Sequence, residues 1–191
     1  MTYRSYRVPS SDAIWFLIAI NFVVFIATLI NREIIYFLGL IPLNFLHRPW
    51  TIVTCLFVHG GFWHIMANMA TLYFFGNYLI GLIGQRSFLL IYFLGGILGG
   101  IFYILLAPPF SIAIGASGAI FALGGTLAMI RPRTRVFVFP LPVPLPLWIA
   151  ILAGFFILSF IPGVGWQAHL GGLVLGLIAG YILKKRGFYL F

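Results

Sequence analysis

The stretch IGASGAIFALGGTLAMIRPR, residues 114–133, runs from Ile114 to Ile130 without a charge and stops on Arg131-Pro132-Arg133. A hydrocarbon core of about 30 Å asks for roughly 20 apolar residues in a helix, and basic residues collect at the cytoplasmic ends of such helices. The stretch therefore predicts a membrane helix ending inside the cell. It also holds an anomaly: Ser117, within Gly115-Ala116-Ser117-Gly118, has no charged residue within ten positions on either side.

The surrounding chain has the same character. Of 191 residues, 63% are hydrophobic and 7% charged, against about a quarter charged in a soluble domain. This predicts an all-α membrane protein, read as a single domain over residues 1–191. Six apolar segments qualify as spans, near 13–30, 61–82, 88–107, 116–130, 147–162 and 167–183. Breakers separate them at Gly84, Pro108-Pro109, Pro132, then Pro140, Pro142, Pro144 and Pro146, and finally Pro162, Gly163 and Gly165. Residues 31–50 are too polar to span, yet IIYFLGLI (34–41) suggests a segment lying in the interface. The run after Arg4 and Arg7 is too long for a signal-peptide core and lacks a small-x-small cleavage site.

The net charge is +9, but its placement at the ends of apolar runs argues against a nucleic-acid surface. With the N-terminus inside, the inner side holds Arg4, Arg7, Arg86, Arg131, Arg133, Arg135, Lys184, Lys185 and Arg186. The outer side holds only Arg32 and Arg48. That bias puts both termini in the cytoplasm.

Depth then brings the rare polar residues together. At 1.5 Å per residue, Ser117 lies about 21 Å above the inner boundary, His169 about 22 Å and Asn68 about 24 Å. His64, at i−4 from Asn68, shares its helix face. Each residue alone has an ordinary structural reading, such as a small packing serine, an interfacial histidine or an interhelical amide. Polar groups gathered at one depth in a bilayer point instead to function. Gly115 can adopt backbone angles other residues resist, letting the chain turn so that Ser117 opens a helix whose free N–H groups favour a developing oxyanion. His169 is positioned to act as general base to Ser117, with His64 and Asn68 as donors to the oxyanion. After His169, Gly172, Gly176 and Gly180 form a small-xxx-small ridge expected to draw two helices together.

The carboxylates are Asp12 and Glu33 alone, both outside the expected spans. A Ser–His dyad, without a third acidic member, is therefore the most the chain builds. Their scarcity excludes a di-aspartyl protease and a His-Glu-x-x-His zinc protease, and disfavours a proton-coupled transporter. A metal site from His59, His64 and His169 is disfavoured because His59 and His64 stand five apart, poor spacing for one helix face. No metal or cofactor is expected. The single Cys55 allows no internal disulfide.

Three motifs now coincide: HGGFWHIMAN (59–68), GASG (115–118) and AHLGGLVLG (168–176). Together, in this order and on the second, fourth and sixth segments, they resemble the rhomboid intramembrane serine proteases of the minimal six-helix type. The resemblance implies a six-helix bundle, Ser117 as nucleophile, His169 as base, and His64 and Asn68 at the oxyanion. It also implies a water-filled cavity open to the outer face, and a membrane-embedded first loop over 31–50. Many relatives carry Tyr where this chain has Phe121, and Trp-Arg where it has Trp50-Thr51. A phenylalanine keeps a ring against the histidine and loses a hydroxyl. The implied substrates are single-pass transmembrane proteins in the cell membrane, unwound near the cut and entering beside 147–162. The alternatives are an inactive relative that escorts membrane helices or, from another class, a small transporter. The sequence carries no feature that sets an oligomeric state.

Overall fold

A computed structural model describes residues 11–138 and 141–187. Arg4, Arg7 and Pro140, used above, lie outside the described residues. Seven α-helices occur among those described: α1 Asp12–Ile30, α2 Glu33–Leu38, α3 Thr51–Thr54, α4 Phe62–Leu106, α5 Ser117–Ile130, α6 Leu147–Ser159 and α7 Trp166–Lys185. Three of them, α1, α4 and α7, are long and apolar enough to cross a bilayer, while α5 and α6 are shorter apolar helices.

The 45 residues of α4 would extend about 68 Å as one straight helix, more than twice the thickness of a hydrocarbon core. The helix breaks at Gly84, whose φ of 80° and ψ of 162° glycine alone adopts without strain. Two limbs result, each about one bilayer long. They fold back on each other: the Cβ position of Gly76 lies 3.2 Å from Phe88. A loop was expected between 82 and 88, but a single residue makes the reversal. Correspondingly, α6 stops at Ser159 rather than 162, because Pro162 disfavours helical geometry at the residue before it.

At the centre stands α5. Every residue from Gly118 to Ala128 is buried, as befits a helix apolar all round. The glycine ridge of α7 lies against it. A Cβ on Gly172 would overlap the carbonyl of Gly118, and one on Gly176 the carbonyl of Ala122, so the two backbones touch with no side chain between. Thr126 Oγ1 bridges the pair, donating to Ala122 O at 2.8 Å and reaching Gly176 O at 3.1 Å. The second limb of α4 packs on both helices, whereas α6 is peripheral and buries only Leu147 and Ile151.

One feature escaped sequence reading. Arg135–Val136 and Leu145–Pro146 pair as a short antiparallel ribbon, Arg135 opposite Pro146. Prolines spaced two apart mask the alternation that marks a strand.

The segment expected within 34–41 forms the short helix α2, and the chain after it folds back against the residues that precede Ser117. Leu40 exchanges both backbone hydrogen bonds with Ala113, at 3.0 and 2.8 Å, and Gly115 N–H donates to Cys55 O at 2.9 Å. The residues leading into Ser117 are thereby tied down at two points.

Candidate active site

Ser117 is the first residue of α5, and the first bond of that helix runs from Ile120 N–H to Ala116 O. The amides of Ser117, Gly118 and Ala119 have no acceptor within the helix, which leaves its positive end directed at the serine. Gly115 enters this turn at φ 116°, the conformation expected for it.

Across the glycine ridge, on the first turn of α7, His169 Nε2 lies 2.7 Å from Ser117 Oγ. His169 is 4% exposed and Ser117 half-buried. Among the described residues the other ring nitrogen, Nδ1, is buried without a hydrogen-bond partner, so none of them acts as a third member orienting the imidazole. A ring does this instead. Phe121, one turn along α5, lies 4.7 Å from His169 centroid to centroid at 34°, and is itself backed edge-on by Phe155 of α6 at 6.0 Å. The ring packing expected from Phe121 is present.

His64 comes from the first turn of α4. Gly60 N–H donates to its Nδ1 across a long 3.4 Å, a weak tie that favours the tautomer with the hydrogen on Nε2. That Nε2 faces Gly115: a Cβ there would stand 2.7 Å from it and 3.8 Å from Ser117 Oγ. The missing side chain leaves space between His64 Nε2 and Ser117 Oγ.

Asn68 lies one turn further along α4 and is buried. Its Nδ2 donates to His64 O at 2.8 Å, while Oδ1 has no partner. Facing a carbonyl fixes the amide with nitrogen toward His64 and leaves one Nδ2 hydrogen uncommitted.

Sequence spacing missed one residue. His59 was set aside on helical spacing, but α4 begins at Phe62, so His59 belongs to the preceding loop and periodicity does not apply. Its ring meets that of His64 at 4.9 Å. Among the described residues no cluster of three metal-ligating side chains occurs.

The Rhomboid domain family model matches residues 46–186. RHOMBOID-like protein 4 of Arabidopsis thaliana is 34% identical over 141 residues, 73% of this chain and 35% of that protein. The Bacillus subtilis (strain 168) protein named "Putative rhomboid protease YdcA" is 32% identical over 139 residues, 72% of this chain and 68% of its own. "Inactive RHOMBOID-like protein 8" of Arabidopsis thaliana is 28% identical over 128 residues, 67% of this chain and 36% of its own. The chain spans about a third of the length of these plant relatives. Its apolar helices are those of a multi-pass membrane protein, and with the matched domain covering most of its length the chain belongs to the rhomboid family.

Proposed function

We propose that the chain is an active intramembrane serine endopeptidase that cuts single-pass transmembrane proteins near the outer face of the cell membrane. The observation that carries this reading is the 2.7 Å approach of His169 Nε2 to Ser117 Oγ, a nucleophile and base within hydrogen-bond reach. Ser117 Oγ attacks the scissile carbonyl and its proton passes to His169 Nε2. The carbonyl oxygen becomes an anion in the gap beside Gly115. There Nε2–H of His64, the free amides opening α5 and the second Nδ2 hydrogen of Asn68 stabilise it. His169 returns the proton to the leaving amine, then deprotonates the water that releases the acyl group.

The reading includes six spans: α1, the two limbs of α4, α5, α6 and α7, with both termini inside. Several contacts support a common inner end. Ser11, before α1, donates to Asn77 Oδ1 at 2.6 Å, and Tyr78 lies 3.2 Å from Thr134. The start of α1, the part of α4 about two turns before Gly84 and the chain beyond α5 thus lie near one another. His64 and Gly99, toward the opposite ends of the two limbs, border the Ser–His pair.

The test is cleavage of a generic single-pass substrate by purified protein in liposomes. Ser117→Ala and His169→Ala should each lose activity by about 10⁴-fold or more, and the double variant should lose no more than either, because the pair acts as a unit. The second reading, a catalytically inactive helix-binding protein, is favoured by the relative whose name calls it inactive. It predicts no cleavage by the unaltered protein and no labelling of Ser117 by a fluorophosphonate.

A further inference from the structure

His59 is 1% exposed, and among the described residues neither ring nitrogen makes a well-formed hydrogen bond, the Phe57 backbone being the polar group in reach. It stands in the loop ahead of α4, joined to His64 through Gly60-Gly61-Phe62-Trp63. Its ring packs edge-to-face on His64, centroids 4.9 Å apart at 66°. Since neither nitrogen bonds His64, what His59 offers that neighbour is the ring itself.

His64 needs such a contact. It is half-buried beside the serine, and the bond from Gly60 N–H to its Nδ1, at 3.4 Å, is long for a hydrogen bond. A ring held by so weak a tie, with space next to it where Gly115 lacks a side chain, has room to turn away. An edge-to-face contact favours one arrangement over its competitors by about 2- to 12-fold.

We propose that His59 is a positioning residue for the reaction: its ring holds the His64 imidazole with Nε2–H directed at the gap beside Gly115. The proposal rests on the reading of His64 as an oxyanion donor. His59 touches neither substrate nor the reacting atoms and acts only through His64.

The experiment measures kcat, KM and Tm for His59→Ala, His59→Phe, His64→Ala and the His59→Ala, His64→Ala double variant, with Ser117→Ala as the control for serine-dependent cleavage. His59→Ala should lower kcat about three- to tenfold at unchanged KM. In the His64→Ala background the same change should cost nothing further, because the residue it positions is gone. His59→Phe keeps an aromatic ring and replaces two buried nitrogens that lack a well-formed hydrogen bond by carbon. It should recover most of the lost turnover at a Tm no lower than that of the unaltered protein. Should His59→Ala fail to fold, His59→Leu takes its place in the cycle. An equal loss of kcat in both backgrounds overturns the proposal, as does unchanged turnover in His59→Ala. A His59→Phe variant that folds normally but stays as slow as His59→Ala also overturns it. If His64→Ala itself turns over at the full rate, the donor reading and this proposal fall together, while serine-dependent cleavage still stands on the control.

Discussion

A Cβ on residue 115 would stand 2.7 Å from Nε2 of His64 and 3.8 Å from Oγ of Ser117, at a backbone φ of 116°. The glycine thus permits the turn into α5 and keeps open the space where the substrate carbonyl is proposed to sit. Gly115→Ala should therefore lose turnover by at least about tenfold, through the displaced donor. It should also lose about 1–2 kcal/mol of stability from the left-handed backbone. Steady-state kinetics and thermal unfolding on one preparation check both, and a Gly115→Ala variant with full turnover would remove the gap from the mechanism.

Gly172 tests how His169 reaches Ser117. Its Cβ would overlap the Gly118 carbonyl, and backbone, unlike a side chain, cannot rotate aside. Gly172→Ala should separate α5 from α7, destabilise the protein by about 1–3 kcal/mol or more and reduce fluorophosphonate labelling of Ser117. Gly154 on α6 has nothing within 4 Å of its Cβ position, so Gly154→Ala should leave stability unchanged or raise it slightly. Equal melting temperatures for the two variants would contradict the packing.

The structural bond of Asn68 and its proposed role at the oxyanion are separable. Loss of its bond to His64 O should cost about 1 kcal/mol of stability, and loss of an oxyanion donor should cost turnover. Because the backbone amides and His64 remain, Asn68→Ala should reduce kcat on the order of tenfold at similar KM, less than the 10²–10³ of an unshared donor. Combined with His64→Ala, the loss should approach that of Ser117→Ala. Activity that falls only in proportion to folded protein would assign Asn68 to helix packing alone.

Topology is open to thiol labelling in intact cells. Cys55 is buried, and burial pushes its thiol up to about 12, so it carries negligible thiolate at neutral pH and should resist maleimide in the folded protein. An added cysteine at position 44 should react from outside and one at 133 only after the membrane is opened. Labelling of Arg133→Cys in sealed cells would invert the proposed orientation.

Local chemistry was legible at Ser117. A small hydroxyl residue after Gly115, opening an apolar run, states both the turn and the helix start, and α5 begins there. The ridge of Gly172, Gly176 and Gly180 was legible for a similar reason, since in an apolar helix small residues four apart leave a groove for a second backbone. What escaped were features whose determinants lie on different segments or cancel locally. The reversal at Gly84 needed one glycine and no loop, and the ribbon at Arg135–Val136 is hidden among prolines.

The sequence by itself determined the membrane environment, the helical class, the scarcity of acids that restricts the proposed chemistry to a dyad, and which rare polar side chains were candidates. Hydrophobic length and glycine spacing act within one segment, so one segment suffices to reveal them. Only the tertiary structure decided that His169 meets Ser117 at 2.7 Å, that Nε2 of His64 faces the space beside Gly115, and that His59 packs on His64. These relations depend on sub-ångström placement of backbones that are remote or non-helical in the chain, and the close packing of α4, α5 and α7 is what sets that placement.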